Sequence, residues 1–382
     1  MKIKCDREKL LAAFQTAAMV APSRSPKPVL QNVKIIAAES STVLMATDME
    51  VGVRIDVADV EVEVPGAALL SVGQFSSILR ESSDTHLGIE GDDSGLLVRG
   101  ERSKFKLPSS NPDEFPAVAE FSESKYHEIP VRLMKELIRR TLFATDSESS
   151  RYALGGVLLE MEAEKVTAVG TDGRRLAKMD GPAQAIDGHD TGDTMTIVPS
   201  RAMQLIDRTL VESDDNVKVT VRGNDILLRT HAATVSSRLV EGRFPRWRDV
   251  LPENREANSI DMTVGPLYSA LRQAAIVASK ESRGIDFKFG DGSLVLSGTT
   301  ADVGESQVEL PISYEGDEII LCMDHRYVSD FLRVLDSEKA FTINIVDGDS
   351  AALFQTDDGY GYVVMPLARE KPVAAATAAA AS

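Results

Sequence analysis

The chain has 382 residues, more than one ordinary core accommodates, so two or three domains are expected. Its 42 basic and 59 acidic residues leave a net charge of −17, which on its face argues against nucleic acid. No run approaches the roughly 18 apolar residues of a membrane span, and the start Met-Lys-Ile-Lys-Cys-Asp-Arg-Glu has no signal-type apolar stretch.

In chain order, Met1 to Cys5 reads as a short strand and Leu10, Leu11, Phe14, Ala17 and Ala18 as one face of a first helix. Period-two strands follow at Asn32 to Ala37 and Val51 to Val57, then a second helix from Ser71 to Ser82. Gly91-Asp92-Asp93 signals a turn, Leu96 to Leu107 a strand, and Asp113-Glu114-Phe115-Pro116 closes the first third. A third helix carries Leu133, Met134, Leu137, Ile138 and Leu142, and a fourth runs from Pro199 to Ser213. Val217 to Val221 and Ile226 to Thr230 are strands about a Gly223-Asn224 turn, and Gly242-Arg243-Phe244-Pro245 echoes the earlier junction. Ser259 to Val264 leads into a fifth helix with Leu267, Leu271, Ala274, Ala275 and Ala278. Asp291-Gly292, the strand Leu294 to Ser297, a sixth helix from Asp324 to Glu338, the strand Phe341 to Val346 and Asp347-Gly348 complete the pattern.

The second helix of each third starts at Ser71, Pro199 or Asp324, nearly evenly spaced. One plan is therefore written three times: an α+β fold of three repeated domains, each with two helices packed on an antiparallel sheet. The expected boundaries are 1–124, 125–256 and 257–369, with 370–382 an Ala-rich tail expected to be disordered. Three like domains in line leave two free sheet edges, which head-to-tail pairing of two chains covers if the rotation closes.

Salt screens charge beyond about 8 Å, so the sign of the surface facing a ligand matters more than net charge. Arg132, Lys135 and Arg139 fall on one face of the third helix, opposite Leu133, Leu137 and Ile138. Arg201 and Arg208 repeat the spacing on the fourth; Arg80 and Arg272 are single contributions from the second and fifth. Two readings stand side by side: solvated helix faces, or a face turned to DNA that meets phosphates without reading bases. Five scattered histidines and two distant cysteines, Cys5 and Cys322, make no ligand set. No phosphate-cradling, nucleophile-elbow or zincin motif is present, so neither an enzyme nor a cofactor is expected. A hydrolase assembled from distant carboxylates, or a scaffold that binds peptides alone, are the competing classes.

Five strings in order and spacing carry a resemblance: Thr47-Asp48-Met49-Glu50-Val51, Arg151-Tyr152-Ala153-Leu154-Gly155-Gly156, Thr171-Asp172-Gly173-Arg174-Arg175-Leu176-Ala177, Leu239-Val240-Glu241-Gly242-Arg243-Phe244-Pro245 and Tyr362-Val363-Val364-Met365-Pro366-Leu367. The chain resembles the bacterial DNA polymerase III beta subunit family, the DNA sliding clamps, essentially to Arg369. That resemblance implies a cytoplasmic homodimeric ring whose helices line a hole around duplex DNA. It also implies a cleft between the second and third domains for linear peptides of the DNA polymerase III alpha subunit, the clamp loader, other polymerases and repair proteins.

Matching cleft positions are Leu154, Thr171, Gly173, Arg174, Arg175, Leu176, Pro245, Val250, Val363, Met365, Pro366 and Leu367. Leu154 and the Val363 to Pro366 segment read equally as core. Arg24 and Tyr152 match DNA-contacting positions. Phe105 and Leu107 match one side of the dimer contact and Ile276 and Val277 the other, with core packing the competing reading. Departures from the family pattern are Ala153, where a second tyrosine is frequent, Ala368 before Arg369, and the loop Asp347 to Ala352.

Overall fold

The computed structural model describes residues 1–92, 95–146, 152–192, 194–211, 213–251, 257–279, 281, 283–300 and 302–368. Arg151 and the tail 370–382 lie outside the described residues, as does Arg369. The chain divides into two compact units, one of Met1–Gly170 with Met179–Pro245, the other of Thr171–Lys178 with residues from Arg246 onward.

The repeat is structural. The first module runs β1 (Lys2–Asp6), α1 (Arg7–Ala18), β2 (Asn32–Ala38), β3 (Ser41–Thr47), β4 (Val51–Asp56), β5 (Val60–Val64), β6 (Gly66–Ser71), α2 (Val72–Glu81), β7 (His86–Asp92), β8 (Gly95–Arg99) and β9 (Lys104–Leu107). The second runs β10 (Tyr126–Pro130), α3 (Val131–Thr141), β11 (Gly156–Glu162), β12 (Lys165–Thr171), β13 (Arg175–Pro182), β14 (Gln184–Ile186), β15 (Ile197–Pro199), α4 (Ser200–Thr209), β16 (Asn216–Arg222), β17 (Asp225–Arg229) and β18 (Ala233–Arg238). The third runs β19 (Asn258–Thr263), α5 (Val264–Ala274), β20 (Gly284–Gly290), β21 (Ser293–Thr300), β22 (Gly304–Pro311), β23 (Ile319–Asp324), α6 (His325–Arg333), β24 (Ala340–Ile345), β25 (Ala352–Gln355) and β26 (Tyr360–Val364).

Each helix begins where a strand stops, because an extended residue at the junction leaves the first helical amides to be capped. Asp6 accepts from the Lys9 amide at 3.0 Å, and Asp324 from the Arg326 amide at 2.9 Å. The inward faces follow the helical period: Val131, Met134, Leu137, Ile138 and Thr141 of α3 are all buried. Helices pack in pairs, α1 on α2, α3 on α4 and α5 on α6.

In the first unit, β5-β1-β7-β8-β9 form one sheet. A nine-stranded sheet, β14-β10-β16-β17-β18-β4-β3-β2-β6, then joins strands of two modules through β18 and β4, with Val235 opposite Val53. The sequence reading gave each domain its own sheet; a sheet that crosses the module junction satisfies edge groups that two separate sheets would leave unpaired. In the second unit β22-β21-β20-β23 form a sheet, and β26-β25-β24-β19 follow one another in register.

Some boundaries differ from the sequence expectation. The stretch Leu96 to Leu107 is two strands, because the chain reverses where the Gly100 amide donates to the Ser103 carbonyl at 3.0 Å. The fourth and sixth helices end early, at Thr209 and Arg333. The fifth ends at Ala274, and a 3-10 turn, Ala275–Val277, replaces its expected last turn.

Candidate peptide-docking and DNA-facing surfaces

The β12–β13 turn is held by its own polar side chains. Thr171 Oγ1 donates to the Arg175 carbonyl at 2.7 Å and accepts from the Gly173 amide at 3.1 Å. Asp172 Oδ1 accepts from the amides of Arg174 and Arg175 at 2.9 and 3.0 Å. Gly173 sits at φ +88° with open space where a Cβ would go, a conformation that favours glycine without requiring it, since Met49 holds φ +81° at the matching place in the Thr47 to Val51 turn. Thr47 to Val51 repeats these bonds one for one: Thr47 Oγ1 donates to the Val51 carbonyl at 2.9 Å, and Asp48 Oδ1 accepts from Glu50 and Val51 at 2.9 and 2.7 Å. Two of the five strings that carry the resemblance are thus one turn used twice.

Arg175 is held on three sides. Its Nε donates to Asp172 Oδ2 at 2.9 Å, one terminal nitrogen donates to Asp330 Oδ2 at 2.6 Å, and the guanidinium lies 4.6 Å from the Tyr327 ring centre. Burial works against its charge, but Tyr362, Asp330 and Asp172 outweigh burial and raise its pKa. Burial likewise raises the Tyr362 hydroxyl, which donates to the Tyr327 carbonyl at 3.0 Å. Phe331 fixes α6 behind this network, its ring 5.2–5.4 Å from those of Phe341, Phe354, Tyr360 and Tyr362. Arg175 is therefore a positioning group for the turn. Tyr327, Asp330 and Tyr362 escaped the sequence reading because nothing local pairs them with Arg175, which lies 155 positions before Asp330.

The chain end runs beside this turn. The Met365 amide donates to the Arg174 carbonyl at 2.9 Å, and the Leu367 amide to the Cys322 carbonyl at 2.7 Å. Met365 is 44% exposed, Pro366 and Leu367 are half-buried, and Val363 is core. Thr171 and Leu176 are buried, Gly173 and Arg174 exposed, and Val250 is 40% exposed in the 3-10 turn Trp247–Val250. Structure thus gathers Thr171 to Leu176 with Met365 to Leu367. Leu154, buried in the turn Tyr152–Leu154, and exposed Pro245 belong to the first unit. In the loop after β24, Asp347 Oδ1 accepts from Asp349 and Ser350 amides at 2.9 and 2.7 Å. Gly348 lies against β23, where a Cβ would stand 2.5 Å from the Ile320 carbonyl oxygen.

Cations on the outer helix faces are exposed, but several already have acidic partners. Arg132 meets Asp214 at 3.0 Å, and Arg139 meets Glu136 at 2.8 Å. Arg201 pairs with Asp48 and reaches the Val20 carbonyl at 3.0 Å, tying α4 to the first module. Lys135 is half-buried; Arg24, Arg80, Arg208 and Arg272 are exposed, Arg80 donating to the Ser76 carbonyl and Arg272 lying 5.8 Å from the Tyr268 ring centre. Exposed pairs of this kind contribute about 0–1 kcal/mol, so a phosphate can exchange for the carboxylate at small cost. Tyr152 lies in the 3-10 turn beside Ala153. Among the described residues no cluster of three or more His, Cys, Asp or Glu is arranged for a metal, and no helix is long and apolar enough to cross a membrane.

A terminal strand and a 3-10 turn carry the remaining candidates. Phe105, 38% exposed, and half-buried Leu107 lie on β9, the last strand of its sheet. Ile276 is 76% exposed and Val277 half-buried, so neither is core. Their turn is fastened to β21 and β22 by Thr300 Oγ1 donating to the Val277 carbonyl at 2.7 Å and Ser306 Oγ donating to the Ala274 carbonyl at 2.8 Å. Three family models match this chain: the DNA polymerase III beta subunit N-terminal domain over residues 1–119, its central domain over 128–246 and its C-terminal domain over 248–368. The chain belongs to the DNA polymerase III beta subunit family. Beta sliding clamps of Pseudomonas putida and Escherichia coli are 31% and 30% identical over 375 residues, 96% of this chain and 100% of theirs. The crystal structure of the Pseudomonas aeruginosa DNA polymerase III subunit beta superposes with a TM-score of 0.87 at 29% identity, covering 97% of this chain and 100% of that one. Like the rest of its family, this chain is a sliding clamp, a processivity factor with no catalytic step of its own.

Proposed function

We propose that two copies of this chain pair head to tail into a closed ring in the cytoplasm, that duplex DNA threads the ring, and that partner proteins dock by short peptides. Domains 1–124, 125–256 and 257–369 are the ring segments in this reading. The observation that carries it is the match between two strand edges. On β9, Lys104 and Lys106 alternate with Phe105 and Leu107; on β22, Glu305 and Glu309 alternate with Ser306, Val308 and Leu310. Each is the terminal strand of its sheet, so backbone donors and acceptors on both await a partner. Joined across two chains, cation meets carboxylate on one face, and Phe105 and Leu107 meet exposed Ile276 and half-buried Val277 on the other. Such a contact is heterologous, and with two copies it closes.

In this arrangement the loop cation Arg24 and the helix cations Arg80, Arg132, Lys135, Arg139, Arg201, Arg208 and Arg272 face the enclosed DNA, and Tyr152 is a further contact position in the same reading. They supply phosphate attraction without base readout, which leaves the ring free to slide. Peptide anchors of the DNA polymerase III alpha subunit, the clamp loader, and other polymerases and repair proteins settle on Met365, Pro366, Leu367 and Val250; Thr171, Gly173, Arg174, Arg175, Leu176 and Val363 of the same unit, and Leu154 and Pro245 of the first, are the further contact positions in this reading. The test is topological: the chain is loaded by a clamp loader onto nicked circular DNA, which is then linearised. A ring stays on the circle and runs off free ends; retention on linear DNA, or failure to load on the circle, overturns the proposal.

A further inference from the structure

Five of the α-helices supply a cation to their own last turn: Arg80 in α2, Arg139 and Arg140 in α3, Arg208 in α4, Arg272 in α5 and Arg333 in α6. A positive charge there meets the partial negative charge of the final carbonyls. The last turn of α1 has none. Its cation comes instead from the second module. Arg201, the second residue of α4, donates from Nη2 to the Met19 carbonyl at 3.3 Å and to the Val20 carbonyl at 3.0 Å, just past the end of α1.

From Nη1 the same guanidinium donates to Asp48 Oδ2. This pair is unlike the open one that Arg132 makes on α3. The Asp48 side chain is 12% exposed, against 91% for Asp214 opposite Arg132, and Asp48 Oδ1 is already committed to the Glu50 and Val51 amides. A phosphate that drew Arg201 away would leave a largely buried carboxylate without its cation, which costs far more than exchange at an exposed pair. In the third module the same helical position holds Arg326, which turns back on Asp324 at the start of its own helix, at 2.9 Å. The bridge is thus no requirement of the module plan; it occurs where α4 meets α1 within the first unit.

Beyond Val20 the chain runs to Pro28 through Arg24, which is exposed and has no side-chain partner among the described residues. Pro22, Pro26 and Pro28 stiffen this loop. Its far end is fixed by the Lys27 amide donating to Ser25 Oγ at 3.1 Å and the Leu30 amide donating to the Lys27 carbonyl at 3.1 Å. A stiff loop passes the anchoring of Val20 on to Arg24. We infer that Arg201 is a positioning residue: it holds the Arg24 loop from across the module junction and serves the DNA contact through Arg24, without meeting a phosphate itself. The inference rests on the reading above in which duplex DNA threads the ring, and within it changes the part played by Arg201.

The experiment compares the full chain with Arg24→Gln, Arg201→Gln, Arg201→Lys, Asp48→Asn and the Arg24→Gln, Arg201→Gln double variant. Asp48→Asn keeps the Oδ1 acceptor of the turn and removes only the charge. Trypsin reports on the loop without DNA, since Pro28 shields Lys27 and leaves Arg24 as the loop's cleavable residue. Cleavage after Arg24, followed by mass spectrometry, should accelerate about 3- to 10-fold in Arg201→Gln and in Asp48→Asn as the loop opens locally. Fluorescence anisotropy with a primed DNA duplex reports on the contact. At about 0.1 M salt both variants should bind about 3- to 10-fold more weakly, the share of one phosphate contact. Arg201→Gln should add nothing in the Arg24→Gln background. Arg201→Lys, which keeps the charge but loses the fork, should recover only part of the loss. A direct phosphate cation gives the opposite signs: Asp48→Asn then strengthens binding, and the two arginine losses add. Either result, or unchanged cleavage after Arg24 in both variants, overturns the inference. Failure of the unsubstituted chain to bind the duplex or to load onto circular DNA overturns the DNA reading and this inference with it, and it shows before any variant is compared.

Discussion

Arg175→Ala tests the network behind the chain-end segment. Only 11% of the Arg175 side chain is exposed, and its partners Asp172 and Asp330 are 15% and 26% exposed. Removal deletes two charge-assisted hydrogen bonds, about 1.5–3 kcal/mol each against a charged group, and one stacked aromatic contact of roughly 1 kcal/mol. Both carboxylates regain water in part, which offsets some of that loss. The net expectation is about 3–5 kcal/mol, as for other broken, largely buried pairs. Arg175→Lys keeps the charge but cannot fork between two carboxylates, so it loses about half as much. Urea unfolding followed by Trp247 fluorescence is the assay, because the chain has one tryptophan and it lies in the second unit. A loss under about 1 kcal/mol for Arg175→Ala, or equal losses for the Ala and Lys variants, refutes the account of a forked, load-sharing guanidinium.

Three other outcomes are expected. His127 and His189 face one another at 2.6 Å in the first unit, and burial lowers both pKa values below 6.5, with the charge of His127 adding to the effect on His189. The folded state then binds fewer protons than the unfolded one, so the contribution is complete above about pH 6.5 and fades as pH falls below it, by at most about 1.4 kcal/mol per imidazole per pH unit; His189→Gln should flatten the circular-dichroism midpoint of the first unit between pH 6.5 and 5. Lys104→Glu with Lys106→Glu should shift the chain towards monomers in light scattering, and Glu305→Lys with Glu309→Lys in the same chain should restore dimers; a dimer indifferent to both moves the contact off these edges. Reversing Arg132, Lys135 and Arg139 to Glu should weaken DNA retention and lower the slope of log affinity against log salt by up to about 3, whereas an unchanged slope means this stripe does not face DNA.

The readable parts of the fold were those with local periodicity. Apolar residues at helical spacing placed the cores of α1 to α6, and their even spacing exposed the repeat. Period two found the strands that alternate, such as β16 and β24, but passed through the reversal at Gly100 and joined β8 to β9. A tight turn carries only a few residues of signal inside an otherwise apolar alternation. The candidate sites divide in the same way. The Thr-Asp turns were visible as strings because their hydrogen bonds are local, while the bond from the Met365 amide to the Arg174 carbonyl was not, because its partners lie far apart in the chain.

By itself the sequence determined the three-fold plan, the amphipathic helices, the acidic balance and the family. Each follows from the order of side chains along short stretches. Tertiary structure alone decided which charges are spent and which remain available. Arg175 is absorbed by Asp330 and Arg201 by Asp48, while Arg174 and Arg246 stay exposed. It also joined β4 to β18 and left β9 and β22 as terminal strands. The reason is physical: a charge or a strand edge is defined by what lies within a few ångströms of it, and folding draws those neighbours from distant parts of the chain.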